Sequence, residues 1–251
     1  MEQVSWKNRR IGDLVEENYV HAYVLFYFGI KFYEFSELTL EQVCLKKGLR
    51  LGQVLKELEA PSLLQETDIP LTSYPIDLII EYLKHAHFIF IKHKLPYMAG
   101  LVECFDAKHN DYLGIERDLK VVFPLFVEDF IHHIYEEEDT LFSYIRTLER
   151  AVKGNYNPTR LFYLLEKNAL QKFAAEHEAH DDEMEGIRSI TKDYKMNSDT
   201  PLHIKVLYNE LKEFEKNLIV HARIENEILF PKAMALENKV KKLYFEKTKF
   251  N

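Results

Sequence analysis

Residues 133–142 read HIYEEEDTLF and residues 221–230 read HARIENEILF, so His-x3-Glu-x3-Leu-Phe occurs twice in one chain. Residues four apart on an α-helix share a face, with Cβ atoms roughly 5–6 Å apart. Each copy therefore presents an imidazole and a carboxylate to one point. Outward from each copy, apolar residues recur in steps of three and four. The segment around the first copy, about 113–153, carries Leu119, Phe123, Phe126, Phe130, His133, Glu137, Leu141, Tyr144 and Leu148 on one stripe. The segment around the second, about 201–236, carries Leu211, Phe214, Leu218, His221, Glu225 and Leu229. Two more segments share this helical period. One, about 75–108, carries Ile76, Ile80, Leu83, His87, Ile91, Met98, Val102 and Phe105; the other, about 159–194, carries Leu170, Phe173, His177, Met184 and Ile187. Pro75 is a favourable first helical residue, and Pro96 predicts a kink.

The connections KHNDYLG, KGNYNP and MNSDTP are short and rich in turn formers. Short connections make neighbouring helices antiparallel, which predicts an all-α, up-down-up-down four-helix bundle. Residues facing each other across such a turn are equidistant from its centre. The pair His87 and His133 has its midpoint at residue 110, His133 and His177 at 155, and His177 and His221 at 199, each inside the corresponding turn. Four histidines, one per helix, thus share one layer.

A polar residue on an apolar stripe is ordinarily a core side chain satisfied by a local hydrogen bond. Coincidence at three independent turns argues for more. The inward set is His87, His133, Glu137, His177, His221 and Glu225. Two carboxylates buried together without a cation force one to bind a proton. A dinuclear metal centre removes that cost, and imidazole plus carboxylate without thiolate suits iron or manganese, with zinc competing by affinity alone. The neighbours read differently. His132 and Glu136 repeat the spacing but lie off the stripe, on a solvated face. His85 is the alternative to His87 on the first helix. His180 suits a place behind the ligands, and Glu176 a solvent-facing position or an access path. His109, about 33 Å along a continuous helix from His87, belongs to the end of the bundle.

At 251 residues the chain can bury roughly 70–75% of its unfolded surface, enough for a real core. Residues 1–60 read as a small helical domain, with Thr39 capping LEQVCLKK and Gly48 preceding LRLGQVLKELE. Residues 61–74 read as a linker, 75–236 as the bundle and 237–251 as a basic tail. Lys plus Arg total 33 against 41 for Asp plus Glu, the wrong sign for phosphate-based affinity, so nucleic acid is not an expected partner. No apolar run reaches the ~18 residues of a membrane span, and the first residues lack a signal-peptide core. With only Cys44 and Cys104, a disulfide framework is excluded and a cytoplasmic setting is expected. A homodimer is compatible with the sequence.

This layout resembles the hemerythrin-like domain, a four-helix bundle with a non-haem di-iron centre. Over about residues 10–236 the chain more closely resembles the RIC (repair of iron centres) family of iron–sulfur cluster repair proteins. The resemblance rests on Leu95-Pro96 after His87, Glu137-Glu138 and Leu141-Phe142 after His133, Glu176-His177, and Glu225-Asn226 with Leu229-Phe230-Pro231 after His221. It implies two iron ions held by the six residues above, and repair of clusters damaged by nitric oxide or oxidants, with iron–sulfur proteins as partners. The alternative it leaves open is a module that binds or senses oxygen or nitric oxide without repair. IGDLVEENYVHAYVLFYFGIKF and LTLEQVC are similar to the family's short N-terminal domain, where Gly-Ile-Asp-x-Cys-Cys is expected. Here the chain has Gly29-Ile30-Lys31-Phe32-Tyr33-Glu34, while Cys44 matches a separate cysteine. Thiol chemistry assigned to that motif cannot operate in this chain.

Overall fold

The computed structural model describes residues 6–59, 71–107, 112–167, 170–179 and 182–249, and among them the regular elements are all helical, with a lone bridge between Arg10 and Thr39. Five short helices come first: α1 (Ile11–Glu17), α2 (Val20–Tyr27), α3 (Phe32–Phe35), α4 (Leu40–Lys47) and α5 (Leu51–Glu59). Local chemistry sets their ends. Asn18 is extended and its side chain accepts from the Val20 amide, separating α1 from α2. Thr39 and Gln42 form a reciprocal capping box at the start of α4, and Gly48, at φ +66°, closes it in the left-handed region open to glycine.

The first long segment is α6 (Ile76–Ile89), a π-helical turn at Phe90–Lys94, and α7 (Leu95–Glu103). Pro75 precedes the first helical residue rather than occupying it. Pro96 lacks an N–H and crowds the preceding turn, and the looser π turn lies where that strain falls. The second segment is α8 (Leu113–Glu137), a π turn at Glu138–Phe142, and α9 (Ser143–Val152); the last is α13 (Leu202–Ile224), a π turn at Glu225–Leu229, and α14 (Phe230–Lys249). Helix α14 continues through the expected tail, with Glu237 and Val240 buried on it. The third segment departs most from expectation. Where one helix over 159–194 is expected, the described residues form α10 (Pro158–Lys167), α11 (Leu170–Ala179) and α12 (Glu185–Ile190), with 168–169 and 180–181 outside those described and a turn at 182–184 before α12. Arg188 takes both carboxylate oxygens of Asp182, which fixes a turn before α12, and Lys192, Asp193 and Tyr194 adopt φ of 54–56°, which ends helical continuation.

Two compact units result, and neither is continuous in sequence. The first joins Met1–Asp68, Tyr97–Arg117 and Thr191–Glu213; the second joins Ile69–Pro96, Asp118–Ile190 and Phe214–Asn251. The compact division therefore does not follow the boundary expected at 61–74, of which residues 61–70 lie outside those described. Helices α1 to α5 bury Ile11, Leu14, Leu25, Leu40 and Val54, and the first unit adds to that core residues distant in sequence. Tyr97 packs on Tyr23 and Phe26 at 5.3 and 4.9 Å between ring centroids. A Cβ on Gly100 would stand 3.3 Å from the Phe26 ring, so glycine permits the close approach there. His203 lies against both Phe32 and Phe105 and donates from Nε2 to the Leu101 carbonyl at 2.8 Å.

In the second unit α14 packs on α9, α10 and α11. Its core contains Ile80, Leu83, Leu148 and Val240, together with Leu141-Phe142 and Leu229-Phe230 from the repeated motif. Burying each such side chain contributes about 1.5–3 kcal/mol. Leu71, at the end of the expected linker, belongs to the same core. Among the described residues no helix is long and apolar enough to cross a membrane.

Candidate metal centre

Three helical segments of the second unit converge on one point. His87 comes from α6, Glu137 is the last residue of α8, His221 lies on α13, and Glu225 opens the following π turn. One ligand atom from each lies within 4.8 Å of all the others. His87 Nε2 stands 3.0 Å from His221 Nε2 and 3.5 Å from Glu137 Oε2, and His221 Nε2 stands 3.1 Å from Glu225 Oε1. The last pair is the i, i+4 pairing that the repeat supplies. His87 is 1% exposed, Glu137 7% and Glu225 0%.

The π turns at Glu138–Phe142 and Glu225–Leu229 occupy nearly the same place in the two copies of the repeat. A π turn adds one residue to the helical circuit. It lets the carboxylate face the cluster while the following Leu-Phe pair still reaches the core. Thr140 reinforces the first turn by donating to the Glu136 carbonyl at 2.5 Å.

His87 is oriented by neighbours that sequence reasoning did not single out. Its Nδ1–H donates to Glu138 Oε1 at 3.0 Å, and Lys84 Nζ holds Glu138 Oε2 at 2.8 Å. The tautomer is thereby set so that the Nε2 lone pair points at the cluster, the usual support of a metal-ligating histidine. Phe142 stacks parallel to the His87 ring with 5.8 Å between centroids. A sequence signal existed, since Lys84 precedes His87 by one helical turn and Glu138 adjoins Glu137.

The electrostatics are those of a cation site. Burial, and then the His221 ring, push the His87 imidazole down to about 4, so it is a neutral donor at ordinary pH. Burial, and then the charge on Glu225, push the Glu137 carboxyl well above the usual carboxylate range. Glu138 is pulled up by burial, but Lys84 and His87 outweigh this and hold it below its ordinary value. Neither oxygen of Glu137 has a hydrogen-bond partner among the described residues. Without a cation, only a proton shared with Glu225 relieves that pair. Two imidazoles and two carboxylates gathered in one pocket are a donor set for a divalent cation.

A cavity of about 240 Å³ opens above the cluster, with Glu137, His221 and Glu225 at its floor and Phe130, Ile134 and Leu218 on its walls. His133 lies on this wall, outside the group of four, with its side chain 41% exposed and Nε2 3.9 Å from Glu183 Oε1. Of the six residues expected from the sequence, the structure thus gathers four, sets His133 beside them, and carries His177 on α11 with its side chain outside the described residues. His87 rather than His85 is the buried histidine of α6, and His132 and Glu136 are exposed. The side chain of Glu176, together with His109 and His180, is also outside the described residues. Glu183 gave no signal in the sequence, because its placement depends on a break that the apolar period does not register.

No family model matches the chain. Curated relatives do. A protein named probable iron–sulfur cluster repair protein from Haemophilus influenzae is 25% identical over 209 residues, 79% of this chain and 84% of the relative. Iron–sulfur cluster repair protein YtfE of an Enterobacter species is 24% identical over 202 residues, with the same coverage of both chains. The YtfE protein of Yersinia pseudotuberculosis is 23% identical over 160 residues, 64% of this chain and 66% of the relative. The residues brought together around His87 and the span of these matches agree: over most of its length the chain is similar to proteins named for iron–sulfur cluster repair.

Proposed function

We propose that the chain is a non-haem di-iron protein that repairs iron–sulfur clusters under nitrosative and oxidative stress, and that its helices form a hemerythrin-like, up-down-up-down four-helix bundle. Two iron ions are held by His87, His133, Glu137, His177, His221 and Glu225. The observation that carries this reading is the buried Glu137, whose oxygens lack hydrogen-bond partners among the described residues while two histidines and a second buried carboxylate surround it. The names of the relatives supply the biological context.

Bound iron supplies redox chemistry and an open position for a small ligand. The chain's own residues do the rest. Glu138 and Lys84 hold the His87 tautomer, Glu137 and Glu225 neutralise the cations, and Phe130, Ile134 and Leu218 limit water above them. The proposed partners are damaged iron–sulfur proteins, with oxygen and nitric oxide as small ligands and ferrous iron as the substrate passed to a damaged cluster; the proposed compartment is the cytoplasm. The test is transfer. Iron-loaded full-length chain, incubated anaerobically with a damaged [4Fe–4S] enzyme, is expected to restore activity faster than the same amount of free ferrous ion. Reversible oxygen or nitric oxide spectra without restoration would select the binding or sensing module instead.

A further inference from the structure

The turn at 182–184, before α12, places a third carboxylate, Glu183, at the cavity. Four anchors hold the turn that carries it. Met184 and Ile187 are each 1% exposed and pin the turn to the core. Arg188 grips Asp182 on one side and Glu215 of α13 on the other. Glu183 sits between the gripped Asp182 and the buried Met184, so its direction is set by both neighbours. It lines the same cavity as His133 and Glu137, and its charge acts on Glu137.

Resting on the di-iron reading, we propose that Glu183 is a ligand of the second cation, sharing it with His133 at the cavity wall. The distance supports this. With metal–ligand bonds of ~2.1 Å, two donors on one ion stand about 3.0 Å apart at a right angle and about 4.2 Å apart when opposed. The 3.9 Å between His133 Nε2 and Glu183 Oε1 lies between these limits and beyond hydrogen-bond range. As a plain ion pair, two partly exposed side chains at that separation would contribute almost nothing. Imidazole with carboxylate is also the donor pair already present on the other side of the cavity floor. The bound pair of divalent ions is then nearly neutralised by Glu137, Glu225 and Glu183, which the low-dielectric pocket favours. A seventh protein ligand from the third segment follows, in addition to the six read from the sequence.

The experiment is an anaerobic titration of the full-length chain with Mn(II), reading stoichiometry, affinity and the electron paramagnetic resonance signal. The unaltered chain is expected to take two ions as a coupled pair. Glu183→Gln is expected to keep one ion, to weaken the second at least ~10–100-fold, and to show the signal of an isolated ion. Arg188→Met, which frees the turn but leaves every ligand in place, is expected to weaken the second ion less than Glu183→Gln does. Circular dichroism checks that both variants fold. Two ions of unchanged affinity in Glu183→Gln would overturn the assignment and leave Glu183 as a rim ion-pair partner, with the di-iron reading intact. No bound ion in the unaltered chain would overturn the di-iron reading and this inference with it.

Discussion

Removing the Glu138 carboxylate tests whether the geometry around His87 is functional. The Glu138→Ala change deletes the acceptor that holds His87 Nδ1–H at 3.0 Å, without touching any of the four clustered residues. Such supporting bonds are worth about 10–100-fold in metal affinity. The Glu138 side chain is 21% exposed, so water partly replaces it in the variant. The lower end is therefore expected, about tenfold, or ~1.4 kcal/mol. Glu138→Gln retains a carbonyl acceptor for Nδ1–H and should recover most of the loss. Lys84→Ala removes only a partly exposed ion pair, worth about 0–1 kcal/mol, and should change affinity less than about fivefold. The assay is anaerobic competition for Fe(II) against a chelator of known affinity, with circular dichroism to show an intact fold. The reasoning fails if Glu138→Ala binds like the unaltered chain while His87→Ala does not.

The double change Glu137→Ala with Glu225→Ala is expected to abolish the iron pair, because both buried carboxylates of the cluster go at once; two irons per chain in the purified variant would sink the assignment. His87→Ala and His221→Ala should each weaken Fe(II) binding by at least ~10-fold, whereas His85→Ala and His132→Ala, on exposed faces, should not, as the same competition assay would show. In the chelated chain the raised Glu137 carboxyl binds its proton more tightly folded than unfolded, so its contribution to stability is present below the unfolded value of 4.5 and is lost as pH rises through the higher folded value. His87, lowered from 6.5 to about 4, acts oppositely and costs stability as pH falls through that window. Glu137→Gln should therefore raise the melting temperature of the metal-free chain at pH 7–8 and flatten its decline with rising pH; an unchanged profile would count against the buried charge. Leu229→Ala, in the core beside the centre, should cost about 2–5 kcal/mol by chemical denaturation.

The repeat and the turn midpoints made four of the clustered residues legible, because i, i+4 spacing and the distance to each turn depend only on regular helix geometry. His87, Glu137, His221 and Glu225 are brought together accordingly. What the pattern could not carry was departure from that geometry. The π turns after His87, at Glu138 and at Glu225 shift the register by one residue each, and an apolar period averages over such a shift. The third segment breaks because Arg188 captures Asp182 and Glu215, a tertiary arrangement that leaves no periodic trace. Glu183 was hidden for the same reason. Pro and Ser in 61–74 are a local signal in the sequence, whereas compactness depends on contacts such as Phe26 on Gly100 and Phe32 on His203, far apart in sequence.

The first unit bears on what kind of repair this chain can perform. The related N-terminal domains are expected to carry adjacent cysteines where Tyr33 and Glu34 stand here. Cys44 is buried and its thiol is pushed up by that burial, which disfavours the nucleophilic thiolate. Tyr33 is pushed well above the ordinary phenol value, by burial first and then by its hydrogen bond with Cys104. A phenol held neutral in this way neither exchanges disulfides nor binds soft metals under reducing conditions. Neither group offers a route to dithiol redox chemistry. On the proposed function, repair would run through the second unit, as donation of iron from the centre rather than reduction by a thiol pair. Cys44→Ser should accordingly leave both iron content and the transfer rate nearly unchanged. A large loss of transfer with iron content intact would return a thiol step to the mechanism.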